Sequence, residues 1–211
     1  MNSQEDQPTL EQQIQEKRNI GDSFYENREY LKALEAYDET LAMNPDNAAV
    51  RNDKGRVHYM RNEYQDALKC FRQALETDST PERVKRYHYN IGCTLEMILQ
   101  YEEALQAYNQ ALLIHPLYEK AVYRKMLLLT LDLKRDEELV QFCNEVLSLD
   151  SGNEEALTEK AIALTRLRRY DEAIRAYDEA LKHYPQSKSK RYSSTYVLHN
   201  KNMLLRAMQG K

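Results

Sequence analysis

Histidines, cysteines and paired acids are the residues of this chain with the chemistry for catalysis or metal binding, and their spacing supports neither. His58, His88, His115, His183 and His199 are scattered. No interval sets two of them as ligands on one helix face or around one loop, so no zinc site is indicated. Cys70, Cys93 and Cys143 form no Cys-x-x-Cys pair. A sparse, odd set suits a reducing compartment rather than a disulfide framework. The acid pairs Glu102-Glu103 and Asp171-Glu172 open helical segments, where the positive end of the helix dipole already accounts for them. No Gly-rich phosphate loop, nucleophile elbow or dinucleotide fingerprint occurs. The expectation is a protein that is not an enzyme and that uses no cofactor and no metal.

Recognition residues are the chemistry that remains. The 211 residues hold sixteen Tyr against three Phe and no Trp, and 30% of them are charged. Net charge is -4, yet residues 186–211 carry six Lys or Arg and no acid, so the rest of the chain is the more acidic part. An acidic body argues against nucleic-acid binding, which rests on neutralising phosphates. The basic end is suited to an acidic partner or to the chain's own body. No apolar run approaches the roughly 20 residues of a bilayer span. The first thirteen residues are too polar and acidic for a signal or transit peptide. The expected location is cytoplasmic or nuclear, with no membrane. Five Gly and five Pro leave few breaks, which favours helices over an all-β fold.

The elements that position these residues come from an internal repeat. Tyr30-Leu-Lys-Ala33-Leu34-Glu-Ala-Tyr37 recurs at Tyr64–Phe71, Tyr101–Tyr108 and Tyr170–Tyr177. The opening tyrosines lie 34, 37 and 69 residues apart, and the last interval holds two copies, with Asp136–Cys143 the degenerate one. A small residue precedes each copy (Gly21, Gly55, Gly92, Ala161), and Asn44-Pro45, His115-Pro116 and Tyr184-Pro185 close three of them. The pattern is helix, tight turn, helix, stop. It resembles the tetratricopeptide repeat in the small residue of the first helix, the Tyr near the turn, the Ala-Leu and Tyr/Phe of the second helix, and the closing Pro. The resemblance implies an all-α, right-handed superhelical solenoid. It divides residues 10–187 into five repeats: 14–47, 48–81, 85–118, 120–153 and 154–187. Residues 1–9 are expected to be disordered, with Thr9 and Gln12 at capping-box spacing.

Packing follows from the same pattern. Ala33, Ala67, Ala104 and Ala173 are expected to face the small residues across each hairpin, and Tyr37, Phe71, Tyr108 and Tyr177 to fill the space between neighbouring repeats. Three extra residues and Thr80-Pro81-Glu82, an N-cap followed by Pro, predict a first helix about one turn longer in repeat three. Repeat four carries Leu127, Leu139 and Val146 at the small positions, which predicts wider helix spacing. Residues 188–211 read either as a basic capping helix, with Val197, Leu204, Leu205 and Met208 on one face, or as the start of a truncated sixth repeat.

In a tetratricopeptide stack the first helices line a concave groove. Registered on the small residues, the resemblance implies groove positions at Arg18, Asp22, Tyr25, Asn52, Arg56, Tyr59, Arg86, Tyr89, Asn90, Arg124, Lys125 and Leu128. The set is basic and aromatic, with an apolar step at its end. It implies a protein or peptide partner whose segment is acidic with hydrophobic anchors. The rival reading is a structural subunit of a larger complex, or a homo-oligomer held through repeats four to six. A narrower one is a co-chaperone that clamps a chaperone's C-terminal tail. Its positions fall on Arg18, Asp22, Asp53, Arg86 and Asn90, or on Asn52, Arg56, Asn90, Ala121 and Lys125. The first set puts acids where Asn is wanted, and the second is incomplete.

Overall fold

The computed structural model describes residues 8–183 and 192–209. They divide into two compact halves, split between Ile114 and His115. The described residues contain helices and no strands. The N-terminal half holds α1 (Leu10–Glu26), α2 (Tyr30–Met43), α3 (Ala48–Met60), α4 (Tyr64–Thr77), α5 (Pro81–Met97) and α6 (Tyr101–Ile114). The C-terminal half holds α7 (Glu119–Leu127), which runs on into a π-helical turn at Leu128–Asp132, then α8 (Asp136–Leu149), α9 (Glu154–Arg166), α10 (Tyr170–His183) and α11 (Ser194–Gln209). Within each half, each odd helix up to α9 pairs with the next even one, successive pairs stack, and α11 packs on α10.

Local signals set the helix ends. Thr9 accepts from the Gln12 backbone while the Gln12 side chain accepts from the Thr9 backbone, a complete capping box for α1. α5 has 17 residues against 13 in α3, the extra turn anticipated from the three-residue insertion. Its cap differs from expectation: Thr80 makes no side-chain cap bond. Instead the Asp78 carboxylate accepts from the Thr80 backbone at 2.9 Å and the Tyr87 hydroxyl at 2.8 Å, and pairs with Arg83 at 2.8 Å. α2, α6 and α10 stop at Met43, Ile114 and His183, each two residues before a closing proline. Pro185, the rest of 184–191 and residues 1–7 lie outside the described residues.

The turn from first to second helix is closed by a residue of positive φ in every pair: Arg28, Asn62, Leu99, Lys134 and Arg168, with φ between 53° and 63°. In the first pair the Glu29 N–H bonds the Phe24 carbonyl at 2.8 Å and the Arg28 N–H bonds Tyr25 at 3.0 Å. This is a Schellman closure, which favours Gly or Asn at the left-handed position. Only Asn62 of the five is such a residue.

Close packing explains the glycines. A Cβ on Gly21 would sit 2.5 Å from the Tyr37 ring, one on Gly55 2.7 Å from the Phe71 ring, and one on Gly92 2.5 Å from the Tyr108 ring. No side chain fits at such distances. The aromatic ring of each second helix therefore rests on the glycine of its own first helix. The alanines are fully buried, but the glycine's immediate neighbour is the ring rather than the alanine expected there. Tyr37 also joins a buried cluster with Val50 and Val57 of the next repeat, as expected of a ring between repeats. Repeat four reverses the sizes. Its second helix offers Cys143 at the aromatic position, and the residue against it is Met126 of α7, one place before the Leu127 that spacing puts at the small position, with Sδ 4.0 Å from the Cys143 Sγ and both side chains buried. Volume is exchanged across that hairpin, large for small on one helix and small for large on the other.

Candidate functional site

The first-helix face of the N-terminal half is built from α1, α3 and α5, each offering residues at fixed offsets from its glycine. At its centre is Asp53, which is only 5% exposed. Arg18 of α1 donates to the Asp53 carboxylate through Nη2 at 2.7 Å and Nε at 3.1 Å. Arg56 approaches it at 3.4 Å. Asn52 donates to the same carboxylate at 3.3 Å, and Asn90 of α5 donates to the Asn52 side-chain Oδ1 at 2.8 Å. One polar chain thus crosses all three first helices. A buried carboxylate is costly unless it is charge-paired and hydrogen-bonded, and this one is both.

Beside that chain lies a pocket of about 210 Å³ lined by Tyr25, Arg56, Tyr59, Tyr89, Asn90 and Cys93, with Phe71 and Met60 completing it. The Arg56 guanidinium stacks over the Tyr25 ring at 4.6 Å. That side chain is 45% exposed, so its outer edge faces solvent. Tyr59 packs edge-on to Tyr64 at 5.8 Å, and Tyr89 lies 6.1 Å from Tyr108. The rings are held by neighbours and need little reordering to receive a ligand. Asp22 is engaged: it accepts from the Tyr37 hydroxyl at 2.6 Å. The equivalent tyrosine, Tyr108, donates to Glu96 at 2.5 Å. Burial and its carboxylate partner push the Tyr37 hydroxyl well above the usual phenol range, so it stays protonated and a donor.

Seven of the sequence-derived positions come together here: Arg18, Tyr25, Asn52, Arg56, Tyr59, Tyr89 and Asn90. Asp22 is half-buried beside Tyr37. Arg86 stands apart, exposed on α5 and without an ion pair among the described residues. The remaining three positions lie in the C-terminal half. Arg124 is half-buried on α7. Lys125 and Leu128 are not open groove residues. Lys125 is buried with its ammonium 3.9 Å from the Phe142 ring centroid, and burial pushes its pKa below the ordinary lysine range. Leu128 begins the π-helical turn and is fully buried. The extra residue of that turn rotates the helix face, which register counting from a single small residue does not anticipate.

Asp53 is the organising residue that the pattern underrated. Its signal was present: it sits two residues before Gly55, where the other repeats place Asn19, Asn90 and Glu159. Glu159 is fully buried in the C-terminal half, where it accepts from Thr130 at 3.2 Å and from the Tyr192 hydroxyl at 2.7 Å. Among the described residues no group of three His, Cys, Asp or Glu is placed to hold a metal ion, and no helix is long and apolar enough to cross a membrane.

Comparison with known proteins agrees with this fold. A tetratricopeptide-repeat family model matches residues 18–84 and again 61–122, and a second model of the repeat matches 154–187. The chain is 28% identical over 149 residues to the DnaJ homolog subfamily C member 7 homolog of Schizosaccharomyces pombe, covering 65% of this chain and 31% of that protein. It is 34% identical over 71 residues to Superkiller complex protein 3 of Homo sapiens, covering 33% of this chain and 4% of that protein. The chain therefore spans less than a third of each curated relative. Among solved structures, YrrB, described as a TPR protein with an unusual peptide-binding site, superposes with a TM-score of 0.66 at 19% identity, over 92% of this chain and 98% of that one. The MamA protein gives 0.68 at 19% identity, over 85% and 96%. The first TPR of Spaghetti (RPAP3), bound to an HSP90 peptide, gives 0.51 at 14% identity, over 55% and 89%. At these identities the likeness is one of fold. With the glycine-seated rings repeated through the N-terminal half and the family models matched in both halves, the chain belongs to the tetratricopeptide-repeat family.

Proposed function

We propose that this chain is a protein-interaction scaffold that captures an acidic segment of a partner on the first-helix face of its N-terminal half. The observation that carries the reading is the pocket beside Arg56. A rigid aromatic wall lies next to a guanidinium whose inner edge touches Asp53 and Tyr25 and whose outer edge is open. An apolar side chain of the partner fills the pocket while an adjacent carboxylate meets Arg56. Arg86, exposed and unpaired among the described residues, extends the basic surface. Arg18 does not serve as a ligand contact, because Asp53 already neutralises it. The same pairing weighs against a chaperone-tail clamp, since Asp22 and Asp53 put negative charge where a terminal carboxylate would bind.

The test is capture of partners from the native cell, followed by a peptide array of the captured proteins, with the chain and its Arg56→Glu/Arg86→Glu variant compared. Reversal of both charges is expected to cut binding of acidic peptides by at least tenfold and leave helicity by circular dichroism unchanged. Equal binding by the variant would remove the reading. A second reading, a structural subunit or homo-oligomer, draws on exposed apolar residues of the C-terminal half, among them Leu131 at 60% and Leu149 at 58%. A concentration-dependent mass in light scattering, lost on Leu131→Glu, would favour it.

A further inference from the structure

The C-terminal half holds a second recess, of different character, between α9, α10 and α11. Its volume is about 380 Å³, inside the roughly 300–1,000 Å³ range of ligand pockets. Ile162, Tyr177, Tyr196 and Met203 are among its walls. Met203 is 51% exposed and Tyr196 43%, large apolar surface that no described residue covers. α11 is held in place independently of that surface. Val197 and Leu204 are buried against the array, and Tyr192, just before the helix, donates to buried Glu159. Tyr192 also stacks on Tyr196 at 5.0 Å. The recess is thus preformed.

Two polar features say what it receives. The side-chain amide nitrogen of Asn200, which lines the recess, is enclosed and has no hydrogen-bond partner among the described residues. Such a donor is costly to leave unmade, and its χ2 torsion is soft enough to turn it toward the opening. The charges at the recess are of one sign. Arg166 is the charged residue among its walls, paired outward with Asp136 at 2.7 Å. Arg206, one turn beyond Met203, is exposed and makes no ion pair among the described residues. No acid lines the recess.

We infer that this recess is a docking site for a partner segment that inserts one bulky aliphatic or aromatic side chain against Met203 and Tyr196. The segment offers a backbone carbonyl to Asn200 and sets a carboxylate near Arg206. The inference rests on the scaffold reading in supposing a protein ligand, but it uses none of the residues of the N-terminal pocket.

The experiment uses the full chain and two defined probes, N-acetyl-aspartyl-phenylalanine amide and neutral N-acetyl-phenylalanine amide. Nuclear magnetic resonance follows the Met203 methyl and the Asn200 side-chain amide. Saturable shifts of both signals are expected, with the neutral probe at least threefold weaker. Ala207→Trp, at an exposed lining position, fills the recess and abolishes them. Asn200→Leu weakens binding at least fivefold without lowering the thermal midpoint, which a purely structural asparagine would not permit. Arg56→Glu/Arg86→Glu leaves the shifts intact, so failure at the N-terminal pocket is separable from failure here. Absence of saturable shifts, or their persistence in Ala207→Trp, overturns the proposal. So does broadening of these signals with protein concentration alone, which assigns the recess to self-association.

Discussion

The two halves build the same hairpin and give its first-helix face opposite chemistry. In residues 10–114 that face is polar and aromatic, organised around Asp53 with Arg18, Asn52, Arg56 and Asn90. In residues 115–209 the comparable positions run to Leu131, Ile162 and Met203, and the buried charges turn inward: Lys125 onto Phe142, Glu159 onto Thr130 and Tyr192. The hairpin interiors differ in the same direction. Glycine under a ring is the rule in the first half, while repeat four packs Met126 on Cys143. The lesson is that the repeat conserves filled volume and satisfied polarity rather than residue identity. Once those two conditions hold, the exposed face can take whatever chemistry a partner needs.

The sharpest way to break this comparison is to swap the packing. Met126→Gly should leave a cavity and cost about 2–5 kcal/mol, as deletion of a large buried side chain does. Cys143→Tyr alone should overpack against Met126 and cost about 1–3 kcal/mol. If the two halves obey one volume rule, the double variant converts repeat four to the N-terminal pattern and recovers much of both losses. Thermal denaturation of the four proteins measures the coupling. Additive losses would show that the π-helical turn at Leu128–Asp132 has changed the hairpin too far for the rule to apply.

How much of this was legible in the sequence depended on whether a feature is local or shared between helices. The helix pairs, their stops and the long α5 follow from the repeat, the prolines and a three-residue insertion. The capping box at Thr9 and Gln12 follows from spacing alone. The ring's place between repeats follows from the pattern, but its seat on the glycine does not, because sequence gives offsets along a helix and not the direction a side chain takes across a hairpin. Lys125 and Leu128 were misread as open because a π-helical turn adds one residue to a helix without leaving a Gly or Pro to mark it. Asp53 was visible as a residue, but its role needed Arg18 of one helix and Arg56 of its own in space together, 35 and 3 residues away.

Cutting the organising carboxylate in each half sharpens the contrast. Asp53→Ala removes two charge-assisted bonds from Arg18, which keeps 30% of its side chain exposed and regains water. A loss of about 1–2 kcal/mol is expected, the low part of the range for hydrogen bonds to charged groups. Glu159→Gln keeps one acceptor oxygen and turns the other into an NH2 that must donate to the second hydroxyl, whose own proton then has to turn elsewhere. With its shape kept, the loss is expected to be about 1 kcal/mol or less. Urea denaturation reads both. A large loss from Glu159→Gln would mean that the full carboxylate, with both acceptor oxygens and its charge, holds the segment that leads into α11.

The smallest expected effect lies at the turns, the one feature in which the halves agree. Leu99 closes the third hairpin with φ 62° and is 70% exposed, so it has little packing to offset its conformation. A left-handed residue other than Gly costs about 1–2 kcal/mol. Glycine removes that cost but frees the unfolded chain, at about 0.5–1 kcal/mol. Leu99→Gly should therefore stabilise by a net of about 0.5 kcal/mol, a midpoint rise of about 1–2 °C for a chain of this size. Arg168→Gly, at φ 60° in the C-terminal half, should give the same rise, because both turns close with the same backbone bond: Gln100 N–H to Leu95 and Arg169 N–H to Leu164, each at 2.9 Å. Lys134→Gly is the discriminating case. There the closing bond runs from Arg135 N–H to Leu129, one residue farther, across the π-helical turn. A matching gain would make the left-handed turn a property of the repeat, indifferent to how the preceding helix is wound. A smaller one would locate the difference between the halves in the backbone of repeat four as well as in its side chains.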